Sequence, residues 1–159
     1  MTLFIGYDRR AVADALTLVS DLDSWRDLSH PARVSVARVM SYCWNPGRLE
    51  RCLRQAEKGT KPPAIHCVRV NVGRGRGREA YYIPSDGNHR TEAARKLGRE
   101  RIYATISGEY EARPEYFALD VPARKLWRTV GRNVYTLIRA DLSDEVIAVL
   151  RALRVPART

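Results

Sequence analysis

The 159-residue chain predicts an α/β (α+β) fold, with strands and helices alternating through its middle and helical segments at both ends. Three stretches carry that expectation. From Ile65 to Val72, Val68, Val70 and Val72 alternate with Cys67, Arg69 and Asn71, the period-two pattern of a strand with one buried face. Asn45-Pro46 supplies an N-cap and a first-turn proline, and Leu49, Cys52, Leu53 and Ala56 follow at i, i+3, i+4 and i+7 before Gly59. Ile83-Pro84-Ser85-Asp86-Gly87-Asn88-His89-Arg90 reads as a strand, a tight turn and the start of a helix.

The remaining elements follow in order. Asp8 caps a helix carrying Val12, Leu16, Val19 and Leu22, and His30-Pro31 ends this N-terminal helical extension, residues 1–32. Val34-Ser35-Val36 alternates as a short strand. After the Ile65–Val72 strand, the run from Gly73 to Arg78 forms the tip of a hairpin that returns over Glu79 to Ile83. The helix from Arg90 to Leu97 stops at Gly98, and Arg101 to Ser107 makes the next strand, with Ile102, Ala104 and Ile106 on one side. These elements make up the middle of the chain. Residues 111–159 read as helical and packed on the same domain, with Leu126, Trp127, Val130, Val134, Leu137 and Ile138 as an apolar stripe interrupted by Gly131. Ser143 caps a last helix, with Asp144 and Glu145 in its first turn and Val146, Ile147, Leu150 and Leu153 on its buried side.

Composition narrows the function. Lys and Arg number 28 against 18 Asp and Glu, a net charge of +10 that attracts polyanions. No apolar run approaches the roughly 20 residues of a bilayer span, and Met1 to Arg10 lacks signal-peptide order, so no membrane partner and a cytoplasmic location are expected. Cys43, Cys52 and Cys67 include no C-x-x-C pair, which indicates neither a disulfide framework nor a zinc cage.

Helix-start amides have no intrahelical acceptors and carry the positive end of the helix dipole. Gly87, Asn88, His89, Arg90 and Thr91 are therefore candidate ligands for a phosphate or nucleotide, with His89 and Arg90 as a cationic pair. Arg90 shares an inward stripe with Ala93, Ala94 and Leu97, while Glu92 and Lys96 form an i, i+4 pair on the wet face. An inward guanidinium requires a counter-charge, which is either a structural salt bridge to Asp86 or a bound phosphate. Asp86 itself is a turn residue, or a carboxylate that holds a divalent cation or acts as a base. Arg74, Arg76 and Arg78 either lie along a nucleic-acid backbone or form a solvated loop. Trp44, Tyr81, Tyr82 and Tyr103 could stack bases, although their places in or beside strands favour core packing.

The ordered series Val34-Ser35-Val36, Trp44-Asn45-Pro46, Leu49 to Ala56, Pro63 to Val68, Gly87-Asn88-His89-Arg90-Thr91-Glu92-Ala93-Ala94, Leu97-Gly98 and Ile102 to Ile106 resembles the ParB/sulfiredoxin-like superfamily. That superfamily joins the N-terminal domain of ParB partition proteins, ParB-like nucleases and sulfiredoxins. The resemblance covers about half the chain, residues 33–110, and implies a domain with a small mixed β-sheet and flanking helices there, with a phosphate or nucleotide, CTP or ATP with magnesium at Asp86, bound where the box helix begins. It also implies association with DNA in a plasmid- or phage-type protein. The alternative it implies is a metal-dependent nuclease or a nucleoside-triphosphate-dependent hydrolase or kinase, with Asp86 or Glu50 as metal ligand or base. Sulfiredoxins carry a cysteine directly before the His-Arg pair; Asn88 stands there and forms no thiolate. The C-terminal stripes suit packing on the domain or a homodimer contact equally.

Overall fold

Asp8 opens the first helix, its carboxylate accepting the Arg10 and Ala11 amides at 2.8 and 3.2 Å, and α1 spans Arg9–Leu18. The chain then enters a 16-residue strand, β1 (Ser20–Ser35), so the N-terminal extension is helical only over α1. Leu22, expected on the helical stripe, is 73% exposed on that strand. The structure, a computed structural model, describes residues 3–158 in two compact units, Leu22–Glu111 and the residues up to Asp21 together with those from Ala112 onward. The expected central domain lies within the first of these, and the described N- and C-terminal segments share the second. Among the described residues, no helix is long and apolar enough to cross a membrane.

In the unit Leu22–Glu111, α2 (Pro46–Glu57), β2 (Ile65–Val72), β3 (Glu79–Asp86), α3 (Asn88–Lys96) and β4 (Arg101–Ala112) follow β1. The sheet order is β1-β4-β2-β3, with β2 antiparallel to β3 and parallel to β4, so the sheet is mixed, as the resemblance implies. The Val36 amide bonds the Glu100 carbonyl and Ser24 Oγ accepts the Glu111 amide, so β1 runs antiparallel to β4. Pro31 does not break β1, because an edge strand can lack an N–H without losing a ladder bond.

The core gathers Val34, Val36, Val39, Ile65, Cys67, Ala94, Ile102, Ala104 and Ile106. Burial pushes the Cys67 thiol up to about 11, against the charge of Arg69, so it stays a protonated packing group. The single valine face expected of β2 is split. A register shift against β4 falls between Cys67 and Val68, so Ile65 and Cys67 are buried before it and Val70 and Asn71 after it, with Val68 half-buried. Beyond the shift, buried Glu109 accepts from Asn71 at 3.1 Å and Arg69 Nε at 2.8 Å and pairs with Arg26. Burial raises the Glu109 carboxyl, but the bonds from Asn71 and Arg69 and the charges of Arg69 and Arg26 outweigh it and hold it below the usual carboxylate value. Beside it, a Cβ on Gly108 would lie 2.2 Å from the Trp25 ring, which explains why the indole can lie directly on the strand.

In the other unit, β5 (Phe117–Asp120), β6 (Lys125–Gly131) and β7 (Val134–Arg139) form an antiparallel sheet, and α4 (Asp144–Ala152) packs on α1. The helical reading of Leu126 to Ile138 is therefore corrected to a hairpin. Apolar residues on both faces of two short strands reproduce a three-to-four spacing, and Asn133 makes the turn at a φ of 58°. The final helix matches expectation: Ser143 Oγ accepts the Val146 amide at 3.2 Å, and Val146, Ile147, Leu150 and Leu153 are buried.

Candidate phosphate-binding site

The passage from β3 into α3 turns on Gly87, whose φ of 104° lies in the region that glycine alone enters cheaply. Its carbonyl accepts the Thr91 amide at 3.0 Å and Thr91 Oγ1 at 2.9 Å, but no side chain caps the helix. The amides of Asn88, His89 and Arg90 thus begin α3 without intrahelical acceptors.

A second helix start meets this one. Asn45 Oδ1 accepts the Arg48 amide at 3.2 Å, capping α2, while the Asn45 amide donates to His89 Nε2 at 3.1 Å. One turn earlier, the Tyr42 amide donates to Asn88 Oδ1 at 3.3 Å. The positive ends of two helix dipoles are therefore held together. Because Nε2 accepts, the His89 proton resides on Nδ1, which has no acceptor among the described residues. Burial, then the nearby Arg48 charge, hold the His89 pKa below its ordinary 6.5, opposed by Glu92. At neutral pH His89 is an uncharged donor, which corrects the expected cationic pair. Arg48 supplies the positive charge instead. Its guanidinium lies 4.7 Å from the centroid of the Trp44 ring, which meets the His89 ring edge-on with centroids 4.8 Å apart, and Trp44 is 53% exposed rather than in the core.

Arg90 takes the structural alternative. It pairs with Asp86 at 2.8 Å and donates to the Pro63 and Ala64 carbonyls at 3.2 and 3.3 Å. Its stripe differs from expectation at two places: Leu97 is exposed, and Glu92 is buried and paired with Arg95 at 3.0 Å rather than set on the wet face with Lys96. Arg95 also donates to the Val36 and Val39 carbonyls and to Ser41 Oγ, fastening the segment that leads to Tyr42.

Other predicted residues lie apart. Glu50 is exposed on α2 and forms no hydrogen bond or ion pair among the described residues. Arg74, Arg76 and Arg78 sit at the opposite end of β3 from α3, about 25 Å away at the usual rise per residue for its eight residues, and Arg78 pairs with Glu111. Among the described residues, no group of three or more His, Cys, Asp or Glu is arranged to hold a metal ion. Tyr81 is fully buried and Tyr82 half-buried, whereas Tyr103 is exposed.

No family model and no curated protein matches the chain. What the site can do follows from its own chemistry. Amide N–H groups, the His89 Nδ1–H and the Arg48 guanidinium are all donors, while Asp86 is engaged by Arg90 and Glu92 by Arg95. Such a set suits a multi-oxygen anion. Gly87 to Thr91 lie together at the α3 start, and beside His89 lie Trp44, expected as a base-stacking or core residue, and Arg48, which was not among the expected ligands. Their signal was proximity to Asn45-Pro46, the start of the second helix.

Proposed function

We propose that this chain is a ParB-like protein that holds the phosphate of a nucleotide or nucleic acid where α2 and α3 begin, and that it associates with DNA. The junction of the two helix starts through Asn45 and His89 carries this reading, since it concentrates unsatisfied donors and dipole charge in one place. The net charge of +10 supports attraction to a polyanion. Asp86 being engaged by Arg90 favours binding over catalysis, and magnesium at Asp86 would compete with Arg90 for the same carboxylate.

Thermal melting with pyrophosphate, CTP or ATP, with and without magnesium, tests the site. At a ligand concentration of 100 Kd the folded state gains about 2.7 kcal/mol, and Arg48→Ala should remove most of that gain without altering the unliganded melting temperature appreciably. Absence of stabilisation by all three ligands would refute the site. DNA association should weaken steeply with salt, and the triple alanine variant of Arg74, Arg76 and Arg78 should flatten the dependence. Magnesium-dependent turnover that disappears in Asp86→Ala would instead establish the enzymatic alternative.

A further inference from the structure

A cavity of about 650 Å³ lies along one flank of α3, distinct from the first-turn amides. The α3 stripe Arg90, Ala93, Ala94 and Leu97 lines it, facing Cys52 and Ala56 of α2. This is the stripe that periodicity assigns to a packed core. Ala93 and Ala94 are indeed buried, Ala94 within the core, but Leu97 at the end of the stripe is 44% exposed. A large apolar side chain exposed beside a buried apolar wall, in a concavity of ligand-sized volume, marks a place for an apolar body.

The rim supplies the second observation. Arg33, Lys61, Arg99 and Arg101 border the cavity, and none forms an ion pair among the described residues. Glu100 is the lone carboxylate of the lining. Arg33 and Lys61 both lie against Tyr103, at 5.3 and 5.2 Å from the ring centroid, and that ring is 52% exposed. An apolar floor under an unneutralised cationic rim matches neither inorganic phosphate, which would leave the floor wet, nor a neutral hydrocarbon, which would leave the cations uncompensated. A nucleic-acid backbone would engage the rim alone.

We propose that this cavity binds a small organic anion, with an apolar body on the Ala93–Leu97 face and an acidic head among the rim cations. It is a site separate from the phosphate site at the α3 start. The inference does not depend on the phosphate reading, because Arg90 is the one first-turn residue in the lining and its guanidinium is already held by Asp86.

The probes are 1-anilinonaphthalene-8-sulfonate and its uncharged counterpart N-phenyl-1-naphthylamine, titrated by fluorescence into the intact protein. One saturable site is expected, with the sulfonate bound about tenfold or more tightly than the neutral compound, and with about tenfold weaker sulfonate binding in the Arg33→Ala, Lys61→Ala double variant. Both side chains are exposed, so a melting curve confirms that the variant is folded. In a Cys43→Ser background, the sulfonate should slow modification of Cys52, which lines the cavity, while buried Cys67 stays unreactive. Equal binding of the neutral compound, unchanged affinity in the double variant, or an unprotected Cys52 would each overturn the proposal. Complete displacement of the sulfonate by pyrophosphate, or by duplex DNA, would overturn the claim of a separate small-molecule site.

Discussion

Replacing Gly87 with alanine destabilises the fold by about 4 kcal/mol, from left-handed strain of roughly 1–2 and overpacking of roughly 1–3. The second contribution arises because the new Cβ would lie 2.4 Å from Ile65 Cγ2 and 2.7 Å from its Cβ, and Ile65 is fully buried between β4 and the core with no room to withdraw. Gly98 also has a positive φ of 70°, but nothing lies within 4 Å of a Cβ there. Gly98→Ala should therefore cost only the backbone part, about 1 kcal/mol. Urea denaturation of the two variants decides the matter: comparable midpoints would remove the close approach of Gly87 to Ile65 from the account. Because the turn sets where α3 begins, any folded Gly87→Ala protein should also lose pyrophosphate binding.

Arg95→Met is the second large effect, a loss of about 3–4 kcal/mol, as expected when a partly buried ion pair is broken and its acceptors are stranded. The guanidinium joins Glu92 of its own helix to the Val36 and Val39 carbonyls and Ser41 Oγ, at distances between 2.9 and 3.2 Å. Methionine replaces the aliphatic stem and none of the five N–H donors. Residues 36–45 should then exchange their amides faster than the core strands, which hydrogen exchange reads directly. Since Tyr42 and Asn45 dock the second helix start onto α3, phosphate affinity should fall with the loss of order. Unchanged protection of this segment in Arg95→Met would show that Arg95 does not secure it.

The parts of the fold that were legible carry local punctuation. Asn45-Pro46 starts α2, Gly73 to Gly77 turns the β2–β3 hairpin, Gly87 admits α3, and Ser143 caps α4; each acts through its own backbone and nearest neighbours. The elements that were misread depend on distant partners. Nothing local marks Ser20–Ser35 as a strand, since half of its identity is its pairing with β4. In Leu126 to Ile138 the β-branched residues Thr129, Val130, Val134, Thr136 and Ile138 and the turn at Asn133 were the signal, and the helical spacing of the apolar positions concealed it. The candidate site divides likewise. Gly87 to Arg90 is visible as one turn, but the bond joining Asn45 to His89 spans 44 residues, and no pattern of spacing foretells that Nε2 is an acceptor or that Asp86 holds Arg90.

His89 offers the most direct test of the phosphate site. With its folded pKa depressed below 6.5 by burial and Arg48, the neutral ring is the form the fold favours. Its contribution to stability is therefore complete above pH 6.5 and declines as pH falls from 6.5 through the folded value, where the unfolded chain binds more protons. A phosphate beside the ring must act in the opposite sense, favouring the imidazolium, so binding should strengthen as the pH is lowered through the same range. An NMR titration of the His89 ring, with and without pyrophosphate, reads this directly. The account predicts a His89 titration below 6.5 in the free protein that moves upward when pyrophosphate is added, and no such movement in Arg48→Ala. A His89 titration indifferent to saturating pyrophosphate would contradict it.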